Sequence, residues 1–163
     1  MFEHCLLVLF SDYFYTSENQ FGFKAKTGCP HAIYTLRKVV DYYNSNGSTV
    51  NLCFLDMAKG FDKINHSILL MKLMKRRVPF ALIKLLHYWY SMSYNTVRWG
   101  DVLSEPYKLL AGVRQGGVLS PVLFSIYVDD FLNSFNNSGC CYLDLPAGAL
   151  IYCRRPSVVS AIC

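Results

Sequence analysis

Apolar residues recur at helical spacing at the start of the chain, where Leu6, Leu9, Phe10 and Tyr13 share one face. This predicts a helix over residues 2 to about 15. A loop follows over 16–29, with Lys24 and Lys26 among glycines. Pro30 suits a first helical turn and opens a second predicted helix carrying Ile33, Leu36, Val39, Val40 and Tyr43. The cluster Asn44-Ser45-Asn46-Gly47-Ser48 ends it in a turn. The pattern then changes to alternation. Val50, Leu52 and Phe54 stand on one side and Asn51, Cys53 and Leu55 on the other, which predicts a strand over 49–56. Apolar residues on both sides of its end predict a central place in a sheet.

Two helices are predicted over 68–77 and 80–92, separated at Pro79. Residues 95–99 and 102–110 form a predicted hairpin through Gly100-Asp101. A glycine-rich loop covers 111–117. Ser120 and Pro121 then supply a cap and a first-turn proline for a helix running to about Phe135. Residues 139–146 read as irregular, and 149–152 as the start of a strand that the tail leaves incomplete. This mixed order of elements predicts an α+β fold.

Composition narrows the class. Hydrophobic residues make up 53% of the 163 and charged residues 17%, which excludes a disordered tail. The net charge of +5 fits a nucleic-acid partner without demanding one. Seven cysteines form no Cys-x-x-Cys pair, so they read as reduced thiols of an intracellular protein. The apolar run over 5–10 is too short to span a bilayer, and no membrane association is expected.

Two segments carry candidate chemistry. The apolar strand delivers Asp56 to its carboxyl end, where a carboxylate can be held yet stay open to a metal ion. A solvated Asp capping the next turn is the plainer alternative. In the second segment Gly112, Gly116 and Gly117 allow close approach of backbone to a ligand, while Arg114 and Gln115 offer charge and hydrogen bonds. Asp62 is expected to face solvent or pair locally, and His66 to be a helix-start or core residue. Tyr127-Val128-Asp129-Asp130 tempts as a second acidic site. However, Leu123, Phe124, Tyr127, Val128, Phe131, Leu132 and Phe135 keep helical spacing, so both aspartates are predicted inside a helix.

The segment Phe54-Leu55-Asp56-Met57-Ala58-Lys59-Gly60-Phe61-Asp62-Lys63-Ile64-Asn65-His66 resembles motif A of reverse transcriptases of non-LTR (LINE/jockey-like) retrotransposons. Asn19-Gln20-Phe21-Gly22-Phe23-Lys24 resembles their fingers signature. Gly112-Val113-Arg114-Gln115-Gly116-Gly117-Val118-Leu119-Ser120-Pro121 resembles their motif B, with Gly117 in place of the usual Cys. Gly60 likewise replaces an Ala. The resemblance covers residues 2–152. It implies an RNA-directed DNA polymerase, a nucleotidyltransferase acting on an RNA template, a DNA primer and deoxynucleoside triphosphates with Mg²⁺. It implies partial fingers over 1–48 and palm over 49–152 of a right-hand polymerase, with an inserted hairpin at about 94–110 and the thumb absent. It makes Asp56 the first metal-binding carboxylate and Met57 a backbone ligand to the metal. Phe61 becomes the aromatic gate under the nucleotide sugar, and Gln115, Gly116 and Lys24 nucleotide-binding residues. The intact family works in cytoplasm and nucleus.

The resemblance breaks at the end. The family's acidic pair should follow a strand such as Ala149-Leu150-Ile151-Tyr152, but Cys153-Arg154-Arg155-Pro156 stands there. Arginine is a cation without a lone pair to give to Mg²⁺. Codons TGC CGA CGA CCT for these four residues, less their first base, read GCC GAC GAC, or Ala-Asp-Asp. Residues 153–163 therefore read as an out-of-frame tail, and the chain is expected to be inactive alone. The alternatives are a non-catalytic nucleic-acid-binding remnant, using Lys24, Lys26 and the cluster Lys72, Lys75, Arg76, Arg77, or a functionless relic.

Overall fold

A computed structural model describes residues 1–153 except 19, 25, 58, 137–139 and 146–147. Its description of side chains omits 55–56 and stops at residue 130. The expected out-of-frame tail beyond Cys153 lies outside the described residues. The chain forms two compact units, one of residues 1–15 and 59–127, the other of 16–58 and 128–163.

The first unit opens with α1, Phe2–Leu9. This helix is shorter than the spacing predicts: the chain tightens at Phe10, and Ser11–Tyr13 form a single 3-10 turn. Ser and Asp compete for local backbone hydrogen bonds and favour such turns over continued helix. After a 3-10 turn at Gly60–Lys63 come α3, His66–Lys75, and α4, Phe80–Ser91. Asn65 caps α3, its side-chain oxygen accepting from the Ile68 amide at 3.1 Å. Arg77 takes φ of +58° between the two helices, and Pro79 starts the second. The helices pack against each other. Leu69, Leu73, Leu82 and Leu86 bury fully, and the plain amphipathic spacing of these leucines explains the packing.

The predicted hairpin is present as a broken ladder. β2 (Tyr94–Asn95) pairs with β5 (Tyr107–Lys108), and β3 (Arg98–Trp99) with β4 (Val102–Leu103), turning through Gly100-Asp101. Gly100 has φ of +60°, which the turn requires and glycine supplies. The irregular loop over 111–119 leads into α5, Ser120–Asn136.

The second unit holds α2, Cys29–Ser45, with Pro30 in its first turn as expected. Ala32 is its buried residue, and Leu36, Val39, Val40 and Tyr43 are half-buried, but Ile33 is exposed. β1 (Asn51–Asp56), β7 (Gly148–Cys153) and β6 (Cys140–Leu145) form one antiparallel sheet in the order β1-β7-β6. Two expectations are corrected here. β1 is not central: among the described residues it pairs on one side alone, and Phe54 stays 67% exposed. The two-sided apolar character of a strand end is therefore not sufficient to infer two strand neighbours. Residues 140–145 are a strand rather than irregular. Tyr142 is a good strand former, and the pairing of the segment with β7 was invisible locally. The register sets Asp56 opposite Gly148 and Asn51 opposite Cys153.

Among the described side chains Cys5, Cys29 and Cys53 are free thiols. No helix among the described residues is long and apolar enough to cross a membrane.

Candidate nucleotide and template site

The glycine loop and the 3-10 turn after β1 are bound together inside the first unit. The Val113 amide donates to the Phe61 carbonyl at 2.9 Å, and the Gly112 amide to the Ile64 carbonyl at 2.8 Å. Gly112 has φ of +92°, and a Cβ there would lie 3.0 Å from the Asp62 carbonyl oxygen. Glycine is thus required twice, for the backbone angle and for the close approach. Next to this clamp Gln115 Nε2 donates to Asp62 Oδ1 at 3.0 Å, between two exposed side chains. Asp62 does face solvent as expected, but its partner is 53 positions away rather than local.

Three further contacts hold the loop. His66 Nε2 lies 2.6 Å from the Gly112 carbonyl oxygen, and its ring stacks on Tyr90 at 4.4 Å. The Glu3 carboxylate accepts from the Leu119 amide at 2.9 Å. Beside Gly117, a Cβ would sit 2.8 Å from Ser120 Oγ and 3.0 Å from Glu3 Oε2, so glycine here is matched by its neighbours. Glu3, Asp62, His66, Gly112 and Gln115 border an open cavity of about 840 Å³ that also includes Trp89, Arg114 and Tyr107. Burial, and secondarily the Glu3 charge, push the Tyr90 hydroxyl above the usual tyrosine range.

The expected site residues divide between the units. Phe61, Gln115 and Gly116 belong to the first; Lys24, Asp56 and Met57 belong to the second. Phe61 is half-buried and stacks on Phe124, ring centroids 4.8 Å apart. Gly116 has φ of +82° with nothing within 4 Å of a would-be Cβ, so it faces open space. Lys24 is exposed, with Nζ 3.4 Å from the Ser17 carbonyl oxygen. Asp56 is the last residue of β1, and the account of its carboxylate lies outside the described side chains. Met57 follows it, half-buried. Asp129 and Asp130 are helical, as their spacing predicts, and the buried Asp129 accepts from the Ser17 amide at 3.1 Å.

Sequence reasoning missed Glu3, Tyr90 and the Asp62–Gln115 bond. The last had a signal in the Phe61-Asp62 pair of the motif A-like segment; the other two had none. Of the basic cluster on α3, Lys72 donates to the Tyr127 carbonyl and lies over its ring, and Arg76 does the same with Tyr15. Half of that cluster thus serves internal contacts rather than standing free for phosphate.

The described residues bring no three His, Cys, Asp or Glu side chains together as a metal site.

Residues 8–161 match the family model described as reverse transcriptase (RNA-dependent DNA polymerase). A probable RNA-directed DNA polymerase from transposon X-element of Drosophila melanogaster is 31% identical over 116 residues, 71% of this chain and 13% of that protein. The RNA-directed DNA polymerase from mobile element jockey of Drosophila funebris is 32% identical over 116 residues, 70% of this chain and 12% of that protein. A chain of a partial Cas6-RT-Cas1–Cas2 complex aligns with a TM-score of 0.35 at 17% identity, over 83% of this chain and 22% of that one, too loose a likeness to argue from. The chain spans about an eighth of the length of the retrotransposon polymerases it matches. Its motifs and these matches agree: the chain belongs to the reverse transcriptase (RNA-dependent DNA polymerase) family, on the side of the non-LTR retrotransposons.

Proposed function

We propose that this chain is a segment of an RNA-directed DNA polymerase that carries its template-side and nucleotide-side residues but cannot extend a primer by itself. The observation that carries the reading is the bonding of the motif A-like turn to the motif B-like loop, through Phe61–Val113 and Asp62–Gln115. The contact between two family motifs far apart in sequence supports this reading. The fingers would comprise 1–48 and the palm 49–152.

Asp56 is the first metal carboxylate in this reading, with the Met57 carbonyl beside it, and Mg²⁺ is the ion. When bound, the ion supplies charge stabilisation at the transferred phosphate. The residues of the chain itself bind and orient. Phe61, braced by Phe124, limits room under the sugar and so favours deoxynucleotides over ribonucleotides. Gln115 and Gly116 lie against the templating pair, and Lys24 neutralises phosphate charge. The partners are an RNA template, a DNA primer and deoxynucleoside triphosphates.

Primer extension tests this. The purified 163-residue chain should give no product above background on a primed RNA template. A version with the frame restored after Tyr152 and the downstream polymerase sequence added should give product, and Asp56→Ala in that version should abolish it. Template-dependent synthesis by the unmodified chain, lost on Asp56→Ala, would show that the missing acidic pair is supplied elsewhere and sink the incompleteness.

A further inference from the structure

We propose that Asp62 is a positioning residue that turns the Gln115 amide so that its carbonyl oxygen faces outward, as an acceptor for a sugar hydroxyl. The proposal rests on the reading of Gln115 as a nucleic-acid-facing residue and adds what Gln115 presents there. A carboxylate accepts hydrogen bonds, whereas a primary amide has a donor end and an acceptor end. Asp62 Oδ1, 3.0 Å from the Gln115 side chain, therefore selects the NH₂ end. The opposite orientation would set two acceptor oxygens against each other. Oε1 is then turned away from Asp62.

The backbone makes this selection cheap. Phe61 and Ile64, which flank Asp62, already accept from Val113 and Gly112 at 2.9 and 2.8 Å. The two side chains start from a fixed separation, so little freedom is lost in joining them. Both are exposed and border the open cavity, so the outward oxygen meets solvent or a ligand rather than protein. Arg114, next in the chain and lining the same cavity, offsets the Asp62 charge for an approaching phosphate backbone. A hydroxyl is the matching donor, and two are available in a primed template: the 2′-hydroxyl of an RNA template strand and the 3′-hydroxyl of an incoming deoxynucleotide.

Binding of fluorescein-labelled primed duplexes to the 163-residue chain separates the possibilities. The DNA primer is annealed to an RNA or a DNA template, each with a matched deoxynucleoside or dideoxynucleoside triphosphate. Gln115→Ala should weaken binding several-fold, about tenfold at most for one hydrogen bond. Asp62→Ala should reproduce most of that loss. Asp62→Asn, which can accept from Gln115 or donate to it, no longer selects one orientation and should lose part of the binding, less than Asp62→Ala. The Gln115 side-chain amide resonances in ¹⁵N spectra should move most in Asp62→Ala and less in Asp62→Asn. Loss of an RNA-over-DNA preference in both alanine variants identifies the template hydroxyl; loss of a deoxy-over-dideoxy preference identifies the incoming sugar. Weakened binding with both preferences intact overturns the hydroxyl assignment. If Gln115→Ala weakens binding but Asp62→Ala does not, the positioning role is overturned while the site stands. If Gln115→Ala changes nothing, the nucleic-acid-facing reading fails first.

Discussion

His66 Nε2 and the carbonyl oxygen of Gly112 lie 2.6 Å apart, although 46 positions separate the residues. A carbonyl only accepts, so Nε2 must carry the proton, which fixes the tautomer of the ring. The same ring stacks on Tyr90 with 16° between planes. One side chain thus ties the first turn of α3 to the glycine loop and to α4.

Removing that tie should cost stability in two separable parts. His66→Phe keeps the stacking and loses the hydrogen bond, an expected cost of about 1–2 kcal/mol. His66→Ala loses both and should cost about 2–4 kcal/mol. Urea unfolding followed by circular dichroism measures each, and equal costs for the two variants would argue that stacking contributes nothing.

Gly112→Ala should destabilise by about 1–3 kcal/mol, because the new methyl meets the Asp62 carbonyl while the backbone holds a left-handed angle. Gly116→Ala has only the angle against it, since nothing lies within 4 Å. Thermal unfolding should therefore rank Gly112→Ala below Gly116→Ala. The reverse order would mean that the clamp between loop and turn yields easily.

Tyr90 predicts an alkaline limit. Its hydroxyl titrates above the usual range in the folded chain, from burial first and the Glu3 charge second. A raised value means the stabilising contribution is complete below the unfolded value, about pH 10, and is lost as pH rises toward the folded one. Stability should fall by up to about 1.4 kcal/mol per pH unit over that window from this residue. Tyr90→Phe should flatten the slope of the urea midpoint between about pH 9.5 and about pH 11. Parallel slopes in the two proteins would remove Tyr90 as the cause.

Asp129 should matter for folding rather than for catalysis. Its buried carboxylate accepts from the Ser17 amide, and Asp129→Ala leaves that amide wanting, an expected loss of about 1–3 kcal/mol. In the frame-restored polymerase at low temperature, Asp129→Ala should keep primer extension within severalfold of the parent, unlike Asp56→Ala. Abolition by Asp129→Ala without unfolding would return the helical acidic pair to the reaction centre.

Much of this was legible because the signals were local. The leucines of α3 and α4, the Gly100 turn and the helical spacing around Asp129 each announce one element within a dozen residues. What escaped was non-local. The strand over 140–145 needed its partner β7 to be seen, and the position of β1 within its sheet depended on a pairing that alternation alone does not encode. The Asp62–Gln115 bond joins residues whose nearness is created by backbone contacts on either side, so neither segment alone announced the other as its partner.

The register of β1 against β7 reaches beyond the fold. β7 ends at Cys153 beside Asn51, the end of β1 remote from Asp56, which faces Gly148 instead. An acidic pair placed after that strand end would begin about 17 Å from Asp56, given the rise of five strand residues. In the proposed reading, restoring the frame alone would leave such a pair at that distance. In the frame-restored version proposed above, the chain would still carry a pairing of six residues that this sequence makes on its own.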